Sequence, residues 1–441
     1  MRWLYLLSFW TATAALAAPS SVQAQKVKLT ETHTVGDYYK ISTLTTLTGT
    51  LKVIREGRTV PLDLQAKNEH KWIEKELDVQ ENLPRKVARY YESTQCNATV
   101  AKNSNERRLP VTKSFIVAQR FGDTHLCYSP VAPLTKSELE IVSEHFDPMF
   151  LSGLLPEKEV AVGDTWKIPD RVMQSLGLFE GLVSNEMVVK LTEITAEQAI
   201  LTITGDSSGI EYGALNKITV TATARYDLKQ KRITSVEWKQ KDNRDQGPVS
   251  PAAEVESTTI VTREFLADEP KNFPKTLLEK VPVKEEPAGN LKALLYEDTG
   301  SSMTFLYPRE WYFVARTEQN IIFRLLDRGD FIAQATLSPL PKAEAGKGLS
   351  NEEFEGLVKK SSNWEMTEVV EKGTIPTDRD RHIYRVVGKG NLDGLPVFQA
   401  FYRILTRQGE QAILTITAKP TQAPKIGTRD AALANAIEWK K

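Results

Sequence analysis

The chain has 441 residues, 41% hydrophobic and 26% charged, an ordinary globular balance over a length that suggests two or three domains. Lys plus Arg and Asp plus Glu both number 57, so the formal net charge is zero. There is no basic field of the kind nucleic acid recruits, and no strong Lys/Arg run supplies one locally.

Arg2 is the only charge before Lys26. An apolar run fills the interval, and Val22-Gln23-Ala24 then places small or aliphatic residues before Gln25. This order predicts a cleavable secretory signal over residues 1–24, with cleavage near Ala24. The competing reading is a membrane anchor. The apolar core is short of the roughly 20 residues a span requires, and Pro19 would end it. No later apolar run approaches that length. The expected mature protein has no transmembrane span and works in the periplasm or outside the cell.

Residues 25–266 read as β-rich. Lys26 to Val35, Tyr39 to Thr48, Thr50 to Arg55 and Lys71 to Val79 alternate apolar and polar residues and are rich in Thr, as half-buried strands do. Cys96 and Cys127 are a candidate disulfide, which export permits and which would stabilise by roughly 3–4 kcal/mol. The alternative is two buried free thiols. Thr135 and Glu138 form a capping box for a helix that Asp147-Pro148 ends, with Leu139, Val142 and Phe146 as its apolar stripe. Gly163-Asp164-Thr165-Trp166 reads as a turn, with Trp166 anchoring the next strand. A second helix is expected from Asp170 to Phe179. Lys217 to Leu228 and Ile233 to Lys241 form the plainest hairpin. Its small residues Ala222 and Ala224 leave room for a helix or a ligand. The expectation is a curved antiparallel sheet with a covering helix. After the hairpin, Asp242, Arg244, Asp245 and Gln246 form a candidate binding loop, which competes with a plain exposed turn.

Residues 267–290 hold Pro270, Pro274, Pro282 and Pro287 among dense charge. They read as a solvated, stiff linker. Residues 291–441 give strands, a helix boxed by Ser350 and Glu353, more strands, and a helix from near Thr428. That is an α+β layout, an antiparallel sheet with packed helices. Trp311 and Trp364 are expected in its core.

Phe305-Leu306-Tyr307-Pro308-Arg309-Glu310-Trp311 resembles the opening of PsbP-like domains. The likeness spans about residues 300–441. It implies an α/β/α sandwich of a kind that mostly acts in binding or assembly, with no shared catalytic residues. The stretches Leu154 to Trp166 and Asp242 to Pro248 resemble uncharacterised secreted bacterial proteins, and that likeness implies no activity.

The five histidines, His33, His70, His125, His145 and His382, do not form a His-Glu-x-x-His motif. His145 and Asp147 are near neighbours, but residues two apart on a helix do not face each other. His125 and Cys127 are two apart on an expected strand and so could share a face, a spacing that permits a nucleophilic pair. A disulfide, or a buried Cys beside a surface His, is the plainer account. Glu140 and Glu144 fit a solvated helix face. No serine elbow or phosphate loop is present. The sequence therefore points to an exported, non-enzymatic binding or scaffolding module of the cell envelope, without cofactor or metal. Its partner would be an envelope protein or an apolar ligand. The alternatives are a periplasmic carrier of an apolar ligand or lipid, and a hydrolase with dispersed residues.

Overall fold

The computed structural model describes residues 26–440 apart from 122–123, 144–145, 299 and 361–362. The expected signal segment, Glu144 and His145 lie outside the described residues. The chain folds mostly as antiparallel β-sheet in several sheets.

Period-two alternation yields very long strands: Tyr38–Arg55 runs 18 residues and Arg58–Gln80 runs 23. The turn between them has Glu56 at φ 50° and Gly57 at φ 74°, the left-handed pair that matches strand twist. These strands belong to a 13-stranded sheet. The sheet has two free ends and is not a closed barrel. Val188–Ile194, Gln198–Glu211, Ala214–Asp227, Arg232–Arg244 and Ala252–Leu266 follow one another across it. Ala252–Leu266 then pairs with Tyr38–Arg55, and Arg58–Gln80, Leu83–Val100, Phe115–Phe121 and Thr124–Tyr128 complete the other end.

Inward residues from both ends, Val189 and Leu191 at one and Ile116 and Cys127 at the other, enter one buried cluster. The sheet therefore bends around the segment between them. The expected covering helix is shorter than its stripe implied. It spans Lys136–Val142 with the Thr135 and Glu138 capping box in place. Much of the filling comes from the 3-10 run Pro148–Leu154 and the helix Asp170–Leu176, which bury Phe150, Leu151, Leu154, Met173 and Leu176. Ala222 and Ala224 do not open a pocket. Ala222 lies opposite Trp238 in register, and the Trp238 ring meets Phe146 at 5.1 Å. The small side chains make room for an indole of the chain itself.

The 267–290 segment is largely exposed, as expected, but it is packed on the first part of the chain and is not a free connector. Alternation on the long strands also places Tyr38, Ile73, Ala88, Phe115 and Tyr128 in a second apolar cluster, which Phe273 and Val281 complete. The Phe273 ring contacts Tyr38 at 5.3 Å and Phe115 at 5.8 Å. Lys86 donates to the carbonyls of Pro282 and Glu285. The segment acts as a strap over an apolar face, with its charges turned to solvent.

Beyond the strap, Leu294–Glu297 pairs with Thr304–Tyr307 and also, in parallel, with Leu134–Thr135 from the first half. One buried cluster accordingly contains both Leu134 and Ile141 and, from the later half, Tyr296, Phe305 and Trp311. A seven-stranded antiparallel sheet follows, running from Trp311–Arg316 at one edge to Trp364–Ile375 at the other. The helix Asn351–Lys359, boxed by Ser350 and Glu353 as expected, places Phe354 and Val358 with Trp364, Tyr384 and Phe401. Leu433 and Ala434 of the helix Arg429–Ala436 join a different cluster, with Ile383, Ile404 and Ile416. Ile383 and Tyr384 are sequence neighbours on one strand and belong to these two different clusters.

Candidate functional site

A cleft of about 700 Å³ opens where the end of the large sheet meets the later half of the chain. Strand pairing places Arg120 opposite His125, so both side chains share a face and both line it. The helix Asp170–Leu176 contributes Arg171 and Ser175, and the later half contributes Tyr312 and Arg328. Two hairpin turns close the rim. Gly213 sits at φ 73° and Gly329 at φ 85°, and a Cβ added to Gly213 would lie 2.7 Å from the Gly329 carbonyl oxygen. Only glycine lets these turns approach so closely. Beside them the Tyr212 and Tyr312 rings meet edge-on at 6.1 Å, and the Tyr312 hydroxyl donates to Glu180. A shallower groove of about 370 Å³ lies on the Thr- and Lys-rich face. Its Lys241 is paired with Glu256 at 2.7 Å.

Behind the cleft lies a buried ion network. Arg89 donates from Nε to Glu74 at 2.8 Å and from Nη2 to Asp147 at 2.6 Å. His125 Nε2 is 2.9 Å from Asp147, and the Met149 amide donates to the same carboxylate at 2.9 Å. Burial alone would raise the Asp147 pKa, but Arg89 and His125 overcome it and hold the carboxyl well below the usual range. Burial would likewise lower His125, yet Cys127 and Asp147 raise it. Cys127 Sγ lies 3.9 Å from His125 Nε2 and 3.6 Å from the Val142 carbonyl. Thiol, imidazole and carboxylate are thus together, as the two-residue spacing permitted. A relay, however, needs one ring nitrogen for the nucleophile and the other for the carboxylate. Here the same Nε2 faces both, and Cys127 is only 1% exposed. The arrangement suits charge compensation in a core.

The candidate Cys96–Cys127 bridge is not formed; both thiols are free and buried. Val87, Ala118 and Cys127 lie level across three strands, while Cys96 is nine residues further along its strand. At about 3.3 Å per residue that separates the pair by roughly 30 Å, against the 4.4–6.8 Å between Cα atoms that a disulfide requires. Cys96 instead lies 3.7 Å from His70. Folded protein should leave both thiols unreactive toward an aromatic disulfide reagent, and denaturation should release both. Fast labelling of either in native protein would contradict this burial.

The candidate loop is divided by the structure. Asp242 accepts from Asn216 and Gln240 within the sheet. Asp245 donates its amide to the Leu215 carbonyl, and Gln246 donates to the carbonyls of Gly247 and Ser250. Asp242 thus belongs to the strand, and Asp245 and Gln246 build the turn. Arg244 alone reaches the cleft, paired with Glu211 at 3.1 Å. The same turn meets the later half of the chain, where Arg324 donates to the Pro248 carbonyl. Asp164 accepts from the Ala161 amide, and Trp166 donates to the Leu154 carbonyl, as a structural turn predicts.

Of the other histidines, His33 bonds Glu76 at 2.6 Å inside a cluster that also holds Glu31 and Arg263. His382 contacts Arg403. Among the described residues no group of three or more His, Cys, Asp and Glu is placed to hold a metal, and no helix is long and apolar enough to cross a membrane. Sequence reading missed Arg120, Arg89 and Arg171. A lone Arg on a strand carries no local signal; only the pairing of Arg120 with His125 marks it.

No known family matches the sequence, and no curated protein does. Solved structures give partial likenesses. The PsbP of the cyanobacterium Synechocystis matches with 14% identity and a TM-score of 0.26, over 36% of this chain and 98% of its own. Lipovitellin matches with 10% identity and a TM-score of 0.31, over 55% of this chain and 26% of its own. A protein of unknown function from Pseudomonas aeruginosa, described as a putative regulator, matches with 15% identity and a TM-score of 0.24, over 34% and 99%. The PsbP resemblance is therefore distant, and at these scores none of the three carries an argument.

Proposed function

We propose that this chain is an exported binding protein of the cell envelope, without catalytic activity, whose ligand occupies the cleft between the large sheet and the later half. The carrying observation is the cleft itself. At about 700 Å³ it falls within the range of ligand pockets, and it lies at a junction between structural units, a preferred place for them. We also infer that residues 291–441 form a PsbP-like α/β/α unit, with one helix on each face of its sheet, and that residues 25–266 form the partner unit. A signal over 1–24 would deliver the protein to the periplasm or beyond.

The hydrolase reading has one observation in its favour, the proximity of Cys127, His125 and Asp147. It ranks second because the thiol is sealed and one nitrogen serves both neighbours. The test of the leading reading is native mass spectrometry of protein purified from its own envelope without detergent. Wild type should carry a small-molecule adduct. Ser175→Trp, which fills the cleft from the Asp170–Leu176 helix, should lose it. Identical spectra for the two proteins would remove the reading.

A further inference from the structure

We infer that the cleft captures its ligand through an oxyanion, a carboxylate or phosphate group, bound by Arg120; the inference rests on the cleft being the ligand site. Arg120 is 7% exposed, on the strand Phe115–Phe121. Its Nε and Nη2 are buried and make no hydrogen bond. The guanidinium lies 5.3 Å from the centre of the Phe150 ring, which also lines the cleft.

Its neighbours are differently placed: Arg328 is exposed to solvent, and the others have partners. Arg171 pairs with Glu81, Arg244 with Glu211, and Arg429 with Asp327. Arg309 donates to the carbonyls of Lys292 and Cys127. Three acids of the cleft are engaged too, Glu211 and Asp327 in those pairs and Glu180 with the Tyr312 hydroxyl; the fourth, Glu310, makes no ion pair with Arg120. Arg120 is therefore a buried cation lining the cavity with no carboxylate hydrogen-bonded to its Nε and Nη2; the acid nearest in effect, Glu81, is already paired with Arg171. Folding around such a group is unfavourable. Burial and the nearby Arg171 push its pKa down to about 10, so it stays charged at neutral pH. What the site lacks is an acceptor for a planar fork of donors, the geometry that a two-oxygen face of a carboxylate or phosphate supplies.

Around this fork the cleft is partly apolar, with Phe150, Leu178, Phe179 and Leu326 on its walls. The ligand class is thus an amphiphile, an anionic group attached to an apolar body. Hexyl phosphate, hexanoate and hexanol separate these contributions, and the two anions separate phosphate from carboxylate. Titrations on the full mature chain should show at least one anion binding more tightly than hexanol. Arg120→Met should weaken the anions by roughly thirtyfold or more, since losing one partner of a buried charge pair has effects of that order, and should leave hexanol unchanged. Arg120→Lys, which keeps charge but not the fork, should fall between and guards against a folding defect in the Met variant.

Equal binding of all three probes, unchanged in Arg120→Met and abolished in Ser175→Trp, would overturn the oxyanion and leave the cleft standing. Absence of binding in wild type, or binding untouched by Ser175→Trp, would overturn the cleft reading and this inference with it.

Discussion

Asp147→Ala is expected to destabilise the folded protein by about 3–5 kcal/mol, the magnitude typical of removing one partner from a buried ion pair. The carboxylate accepts from Arg89 through both terminal nitrogens, from His125, and from the Met149 amide. Without it, Arg89 keeps only Glu74, and His125 loses a hydrogen-bond partner and one of the groups that hold its pKa up. Urea unfolding should show the midpoint falling with the slope unchanged, which separates a stability change from an altered unfolded state. A loss under about 1 kcal/mol would show that water or relaxation replaces the network. The triple variant Glu74→Leu, Arg89→Met, Asp147→Leu should recover much of the loss, because a packed apolar replacement often equals a buried ionic network. The pH sign follows from Asp147. Its folded pKa is depressed, so its contribution is complete above the unfolded value near 3.8 and drains away as pH falls below it. His125 shifts upward, so its share is complete below about 6.5 and is lost only as pH rises toward its folded value.

That network also marks how far local sequence reaches. Capping boxes at Thr135 and Ser350 were legible because their donors and acceptors lie three residues apart and need no tertiary context. The long strands were legible from alternation, and the Gly163 to Trp166 turn from its residue types. What alternation could not reveal was that both faces of the long strands were destined for cover. The 267–290 segment looks solvated because its prolines and charges dominate the composition, yet two apolar residues, Phe273 and Val281, decide its position. The disulfide failed for a related reason. Sequence separation bounds the loop a bridge would close, whereas strand register sets the distance between the thiols. Arg120 was invisible as a site residue, and Asp147 was weighed only beside His145, since their meaning comes from partners on other strands. His125 and Cys127 were visible only as a spacing, and which nitrogen faces which group is a matter of packing.

His70 is a buried histidine whose titration should be measurable. His70 is fully buried on the strand Arg58–Gln80, its ring edge-on to Tyr91 at 6.3 Å and its Nε2 3.7 Å from Cys96. Burial pushes its pKa down to about 4. An unfolded histidine titrates near 6.5, so between these values the unfolded chain binds a proton that the folded chain refuses. Stability contributed by neutral His70 is therefore complete above about pH 6.5 and declines as pH falls toward 4, by about 3 kcal/mol in total. Below that the folded form also accepts the proton, and the slope from this group ends. His70→Leu should remove this slope while leaving the Asp147 region, at still lower pH, intact. Taking the difference between wild type and variant at each pH cancels the groups common to both. Chemical denaturation at half-unit steps from pH 7.5 to 4 would measure it. A constant difference across that range would mean that His70 binds its proton equally well in folded and unfolded chains, contrary to its burial beside a neutral thiol and a phenol ring.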